Sequence, residues 1–187
     1  MFERAIKNIT NLLRDHSLEF LVDGVKWYQI DGETTGSGYS LYGDVIYLHP
    51  RDVKAPLSYG NGVVRCLILH EVGHRFAQKI LRRNRMWNED VVKLFGNCYR
   101  AYKRKIKQAK KAEKSDLINF VSRYSLTHPA EDFSETFCVC LDYLLKDKSP
   151  ILLVKQHKKS KLCEKKIRKM IALLNEKIID KKYKINF

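Results

Sequence analysis

"LILHEVGHRF", residues 67–76, sets two histidines four apart, a glutamate directly after the first, and apolar residues on both flanks. Around it Val63, Val64, Leu67, Ile68, Val72, Phe76 and Ile80 recur at helical spacing, which predicts a buried helix over 61–82. A helix turns about 100° per residue, so His70 and His74 stack on one face, roughly 5–6 Å apart. Both imidazoles can then reach one metal ion, and zinc is the ion that this spacing suits. Glu71 projects beside the pair, where a carboxylate can take a proton from water and later return it to a leaving amine. With six histidines and ten glutamates in the chain, chance supplies this HExxH pattern in roughly one such sequence in a hundred. Two histidines do not complete a zinc site, so a third ligand has to come from elsewhere.

The extended pattern HExxHxxGxxH does not supply it, because Ile80 occupies the place of the third histidine. Downstream, His128, Glu131, Asp132, Glu135 and Asp142 are the candidates. Pro129 stands where a helix can begin, and "AEDFSETFCVCLDYLLK" continues it, which predicts a helix over 129–146. Glu131 and Glu135 are one turn apart and share a face. One of them can ligate zinc while the other holds a ligand histidine through its far ring nitrogen.

"HEVGH" together with "YSLTHPAEDFSETF" resembles the gluzincin metallopeptidases, most closely the lethal-factor-type toxin proteases and the Pro-Pro endopeptidases. Those families carry a tyrosine and, seven residues later, the first glutamate of a segment E-x-F-A-E. Here Tyr124 stands seven before Glu131, and "EDFSE" supplies the segment with Ser134 in place of alanine. The resemblance implies a zincin-like fold, a Zn2+ cofactor and hydrolysis of peptide bonds in a protein or peptide substrate. It also implies that Glu131 is the third ligand, that Glu135 stands behind a ligand histidine, and that the Tyr124 hydroxyl stabilises an oxyanion. The match covers two short segments, and Glu131 follows His74 by 57 residues, a longer interval that houses a basic stretch. "YGDVIYLHP" resembles the edge strand with which such enzymes pair extended substrates, which makes Val45, Tyr47 and His49 candidate substrate contacts.

Elsewhere, residues 2–15 carry a helical apolar stripe, and "EFLVDG", "VKWYQIDG" and "YSLYGDVIYLHP" read as strand-like runs. The glycine-rich "DGETTGSG" between the last two reads as a hairpin loop. A basic helical insertion over 88–114, interrupted only by Gly96, and a last helix over 160–179 complete the pattern. The expectation is a single α+β domain spanning 1–187: a helix and a small mixed or antiparallel sheet in 1–60, packed on the HExxH helix, then a mainly helical carboxy-terminal half.

Cys66, Cys98, Cys138, Cys140 and Cys163 are odd in number and scattered, which predicts reduced, buried thiols. The formal net charge is +15, concentrated in "RAYKRKIKQAKKAEK" at 100–114 and in the lysine-rich tail over 146–184. Such runs can hold nucleic acid or an acidic partner by releasing counterions. Lysine outnumbers arginine there, few aromatics interleave, and neither a helix-turn-helix nor an RNA-binding signature is present. The alternatives to a protease are therefore a basic binding module that keeps a zinc site, or a peptidase fold serving as a structural part. No run approaches the roughly 20 apolar residues of a membrane helix. "MFERAIKNITNLLRDH" mixes charges into its apolar stripe, so the expected location is cytoplasmic or otherwise intracellular, with no membrane contact.

Overall fold

The amino-terminal stripe buries Phe2, Ile9 and Leu13 and forms helix α1 (Phe2–Asp15) in the computed structural model, which describes residues 2–31, 36–54, 63–81, 85–98 and 117–182. The basic stretch 100–114 and the chain beyond 182 lie outside the described residues.

The expected strand at 19–24 is instead a 3-10 turn, Glu19–Leu21. Its region gives its carbonyls to one side chain rather than to a neighbouring strand. Arg75 donates to Phe20 O at 3.1 Å, to Leu21 O at 2.7 Å and to Asp23 O at 2.6 Å.

Three strands follow: β1 (Lys26–Gln29), β2 (Gly38–Ser40) and β3 (Val45–Leu48), in the spatial order β1-β3-β2. β1 runs parallel to β3 and β2 runs antiparallel to it, so the small sheet is mixed. The hairpin expected between the second and third runs is absent, because β1 pairs with β3 and not with β2. It forms inside "YSLYGDVIYLHP" instead, where Gly43 (φ 82°) and Asp44 (φ 53°) turn the chain. Two consecutive residues in the left-handed region suit glycine and aspartate.

Helix α2 (Pro50–Lys54) leads toward α3 (Val63–Arg75), which continues as a π-helical turn over Phe76–Ile80. α4 (Arg85–Phe95) stops at Gly96 rather than running through it, with Gly96 at φ +83°. A Cβ there would also stand 3.2 Å from Pro129 Cγ. After a 3-10 turn at Tyr124–Leu126 come α5 (Pro129–Leu144), α6 (Ile151–Gln156) and α7 (Lys161–Lys182).

Residues 66–75 of α3 are all buried, so this helix needs cover on every side. α1 and the sheet supply part of it, the latter presenting Ile46 and Leu48, and α5 packs along the opposite flank. The approach of α5 is close: a Cβ on Gly73 would lie 3.0 Å from Phe137 Cδ1 and 3.1 Å from Ser134 Cα. Phe76 lies between Phe133 and Phe137, with ring centroids 6.3 and 5.2 Å away, and Phe95 meets Phe133 at 5.3 Å. α7 closes the core with Cys163, Ile167, Met170, Leu173 and Leu174. The result is an α+β arrangement, a small mixed sheet beside a mostly helical body. All five cysteines are free and buried. No described helix is long and apolar enough to cross a membrane.

Candidate metal centre

α3 stacks His70 above His74 as the four-residue spacing requires, with both side chains buried. Their Nε2 atoms lie 3.1 Å apart and their rings meet edge-on, 4.8 Å between centroids. α5 delivers Glu131 from its first turn, with Oε2 3.0 Å from His70 Nε2 and 3.5 Å from His74 Nε2. The start of α5 is fixed by its cap: His128 is extended, its Nδ1 accepts the Ala130 N–H at 3.0 Å, and Pro129 opens the helix. His128 is therefore a capping residue. Asp132 faces Lys166, and Asp142 pairs with Arg65 at 2.8 Å and with Lys146 at 2.6 Å. Among the described residues, His70, His74 and Glu131 form the group whose ligand atoms all lie within 4.8 Å of one another.

Behind this trio, Glu135 Oε1 accepts the His70 Nδ1–H at 2.8 Å. With one proton committed to Nδ1, it is Nε2 that faces the cluster, and a cation there would take the place of the proton that Glu131 otherwise favours on that nitrogen. Ser122 hydrogen-bonds Glu135, and its hydroxyl lies 3.1 Å from that of Ser125, so the segment before α5 also bears on this histidine. Burial raises the Glu131 carboxyl, but the two imidazoles outweigh it and bring the group down to about 2. Burial alone would lower His70; Glu131 and Glu135 instead hold it well above the ordinary histidine value. Glu135 is likewise raised by burial and, on balance, lowered by His70. The donor set fits a cation on its own chemistry. Two ring nitrogens and a carboxylate oxygen converge, and Glu131 Oε2 is buried without a hydrogen bond of acceptable geometry.

Glu71 is 4% exposed, and its Oε2 has no hydrogen-bond partner among the described residues. Burial raises its affinity for a proton above that of an ordinary glutamate. The Tyr124 ring lies 5.8 Å from the His70 ring and is half-exposed. Burial, with the nearby Glu71 charge, pushes its hydroxyl up to about 12, so it remains a hydrogen-bond donor at neutral pH. Sequence reasoning missed Asp52. It is held by the Ser37 N–H at 2.5 Å, and its charge reaches both Glu71 and Tyr124. Nothing in its local spacing marks it, since the contact spans 15 residues of loop and strand.

Val45, Tyr47 and His49 do not form an open edge, which corrects the expectation for this strand. β3 is the middle strand, hydrogen-bonded on both sides, so its backbone has no free rank to offer a peptide. Val45 is buried, Tyr47 stacks on Tyr28 with centroids 6.1 Å apart, and the buried His49 accepts the Arg51 N–H at 3.0 Å through Nδ1. Alternation shows that a strand has two faces, but it does not show how many neighbours the strand has.

The family described as "Putative zinc-binding metallo-peptidase" matches residues 64–175, more than half of the 187-residue chain. That span contains both histidines, Glu131, the whole of α5 and α7 as far as Asn175. No curated protein and no solved structure gives a significant match.

Proposed function

This chain belongs to the zinc-binding metallo-peptidase family, and from that premise we propose that it is a zinc-dependent endopeptidase of the gluzincin type with a zincin-like fold. The observation that carries the reading is the convergence of His70, His74 and Glu131 from two helices, with Glu71 buried beside them. His70 and His74 would hold zinc through Nε2 and Glu131 through a carboxylate oxygen. When bound, zinc supplies a Lewis acid that acidifies water and polarises a carbonyl.

The remaining work falls to side chains of the chain itself. Glu135 keeps the His70 ring in one orientation through Nδ1. Glu71 takes the proton of the attacking water on its carboxylate and passes it to the departing amine, and its raised proton affinity suits both halves of that transfer. Tyr124 donates its hydroxyl proton in a hydrogen bond to the carbonyl oxygen as that atom gains charge. The position of Tyr124 near His70 also supports kinship with the lethal-factor-type proteases and Pro-Pro endopeptidases. For an extended substrate, β2 is the better strand: it contacts α3 and has β3 as its strand partner among the described residues.

Glu71→Gln tests the reading. It should leave zinc content unchanged and lower peptide hydrolysis by about 10²- to 10⁴-fold. Unchanged turnover in that variant contradicts the assignment. The net charge of +15 favours a second reading, in which the chain holds nucleic acid or an acidic partner. Steeply salt-dependent DNA binding without cleavage of any peptide would favour it.

A further inference from the structure

Lys166 is a buried cation, 3% exposed, on the face of α7 that meets the first turn of α5. Its Nζ donates to Asp132 Oδ2 at 2.6 Å and to Asn119 O at 3.1 Å. It also stands 4.2 Å from the centre of the Phe120 ring and 5.7 Å from that of Phe95. Asp132 follows Glu131 directly, and Asn119 and Phe120 precede Ser122 and Tyr124. One ammonium group thus touches both the turn that carries the third ligand and the segment that carries the tyrosine.

The same segment is gripped from α7's side by neighbouring groups. Ser160 N–H donates to Ile118 O at 2.9 Å, Ser160 Oγ donates to Asn119 Oδ1 at 2.5 Å, and Lys159 Nζ donates to Phe120 O at 2.7 Å. At its other end Ser122 reaches Glu135. A buried ion pair is a weak source of stability, because apolar replacements of similar volume commonly do as well; what it does supply is one fixed arrangement.

We propose that Lys166 is a positioning residue, which sets the Tyr124-bearing segment against the Glu131 turn. The inference rests on the reading of Glu131 as a zinc ligand and of Tyr124 as the oxyanion donor. Methionine at 166 would fill the same volume but could neither neutralise Asp132 nor donate to Asn119 O. The tyrosine segment would then lose its tie to the first turn of α5 and keep the one from Ser122 to Glu135, while the core stayed filled.

The test compares wild type, Lys166→Met and the double variant Lys166→Met/Asp132→Asn, which removes the unpaired buried charge. Zinc affinity is read by competition with a chromophoric chelator, stability by thermal melting, and kcat and KM on a library peptide that the wild type cleaves. The double variant should melt near the wild type yet bind zinc about 10-fold more weakly. Its kcat should fall about 10-fold or more with KM little changed. Tyr124→Phe should cost less in the Lys166→Met background than in wild type. Wild-type zinc affinity and kcat in the double variant would overturn the proposal, as would independent, multiplying losses with Tyr124→Phe. Failure of both variants to fold would also overturn it, by making Lys166 a residue of stability alone. If the wild type itself neither binds zinc nor cleaves any peptide, the underlying site reading fails, and that is visible before any variant is compared.

Discussion

Arg75, directly after the second histidine, is 3% exposed and uses every side of its guanidinium. Besides the three carbonyls near residue 20, it grips both carboxylate oxygens of Asp44, at 2.8 and 2.9 Å. Arg75→Met should cost about 3–5 kcal/mol, because it leaves Asp44 and the carbonyls short of a donor, and Arg75→Lys should restore little, since an ammonium lacks the planar fork. Urea unfolding at neutral pH measures both. Burial tends to raise Asp44, but hydrogen bonds from Arg75 and Lys79 bring it down to about 2 from an ordinary 3.8. The folded chain therefore binds this proton more weakly than the unfolded one. The stabilisation is present above about pH 4 and is lost as pH falls toward 2, so Asp44→Asn should flatten the urea midpoint across that window. At this scale the stacking of His70 on His74 was legible in the sequence, because it follows from a single helical turn. It could not reveal Arg75 or Asp52, whose partners lie 31 and 15 residues away.

The two ligand helices can meet because Gly73 has no side chain where Phe137 and the backbone of Ser134 press against α3. Gly73→Ala puts a methyl group within 3.1 Å of Ser134 Cα, which cannot swing aside as a side-chain tip would. The helices must part, at a cost of about 1–3 kcal/mol. Thermal melting and chelator competition should both register the change, the second because Glu131 moves away from the histidines. Helical period and the Pro129 start made α3 and α5 legible in the sequence, and the shared face of Glu131 and Glu135 followed from their spacing. The sheet was less legible. Residues 41–44 turn within a run that alternates like a single strand, and strand order depends on pairings that no local pattern encodes.

Across the whole molecule, the group of His70, His74 and Glu131 joins α3 to α5, and residues 57 apart in sequence become neighbours. A cation bound there should stabilise the folded state by about 2.7 kcal/mol at 100 times its Kd. Stripping zinc with a chelator should therefore lower the melting temperature, and restoring zinc should raise it again. The overall α+β class was legible from the order of elements. The identity of the third ligand needed either the resemblance or the fold, because five candidates had equal standing by residue type alone. The central claim is that His70, His74 and Glu131 together hold one zinc ion. Elemental analysis of purified wild type, Glu71→Ala and Glu131→Ala tests it most directly: one zinc per chain is expected in the first two and loss of zinc in the third. Zinc bound by Glu131→Ala as fully and as tightly as by wild type would contradict it.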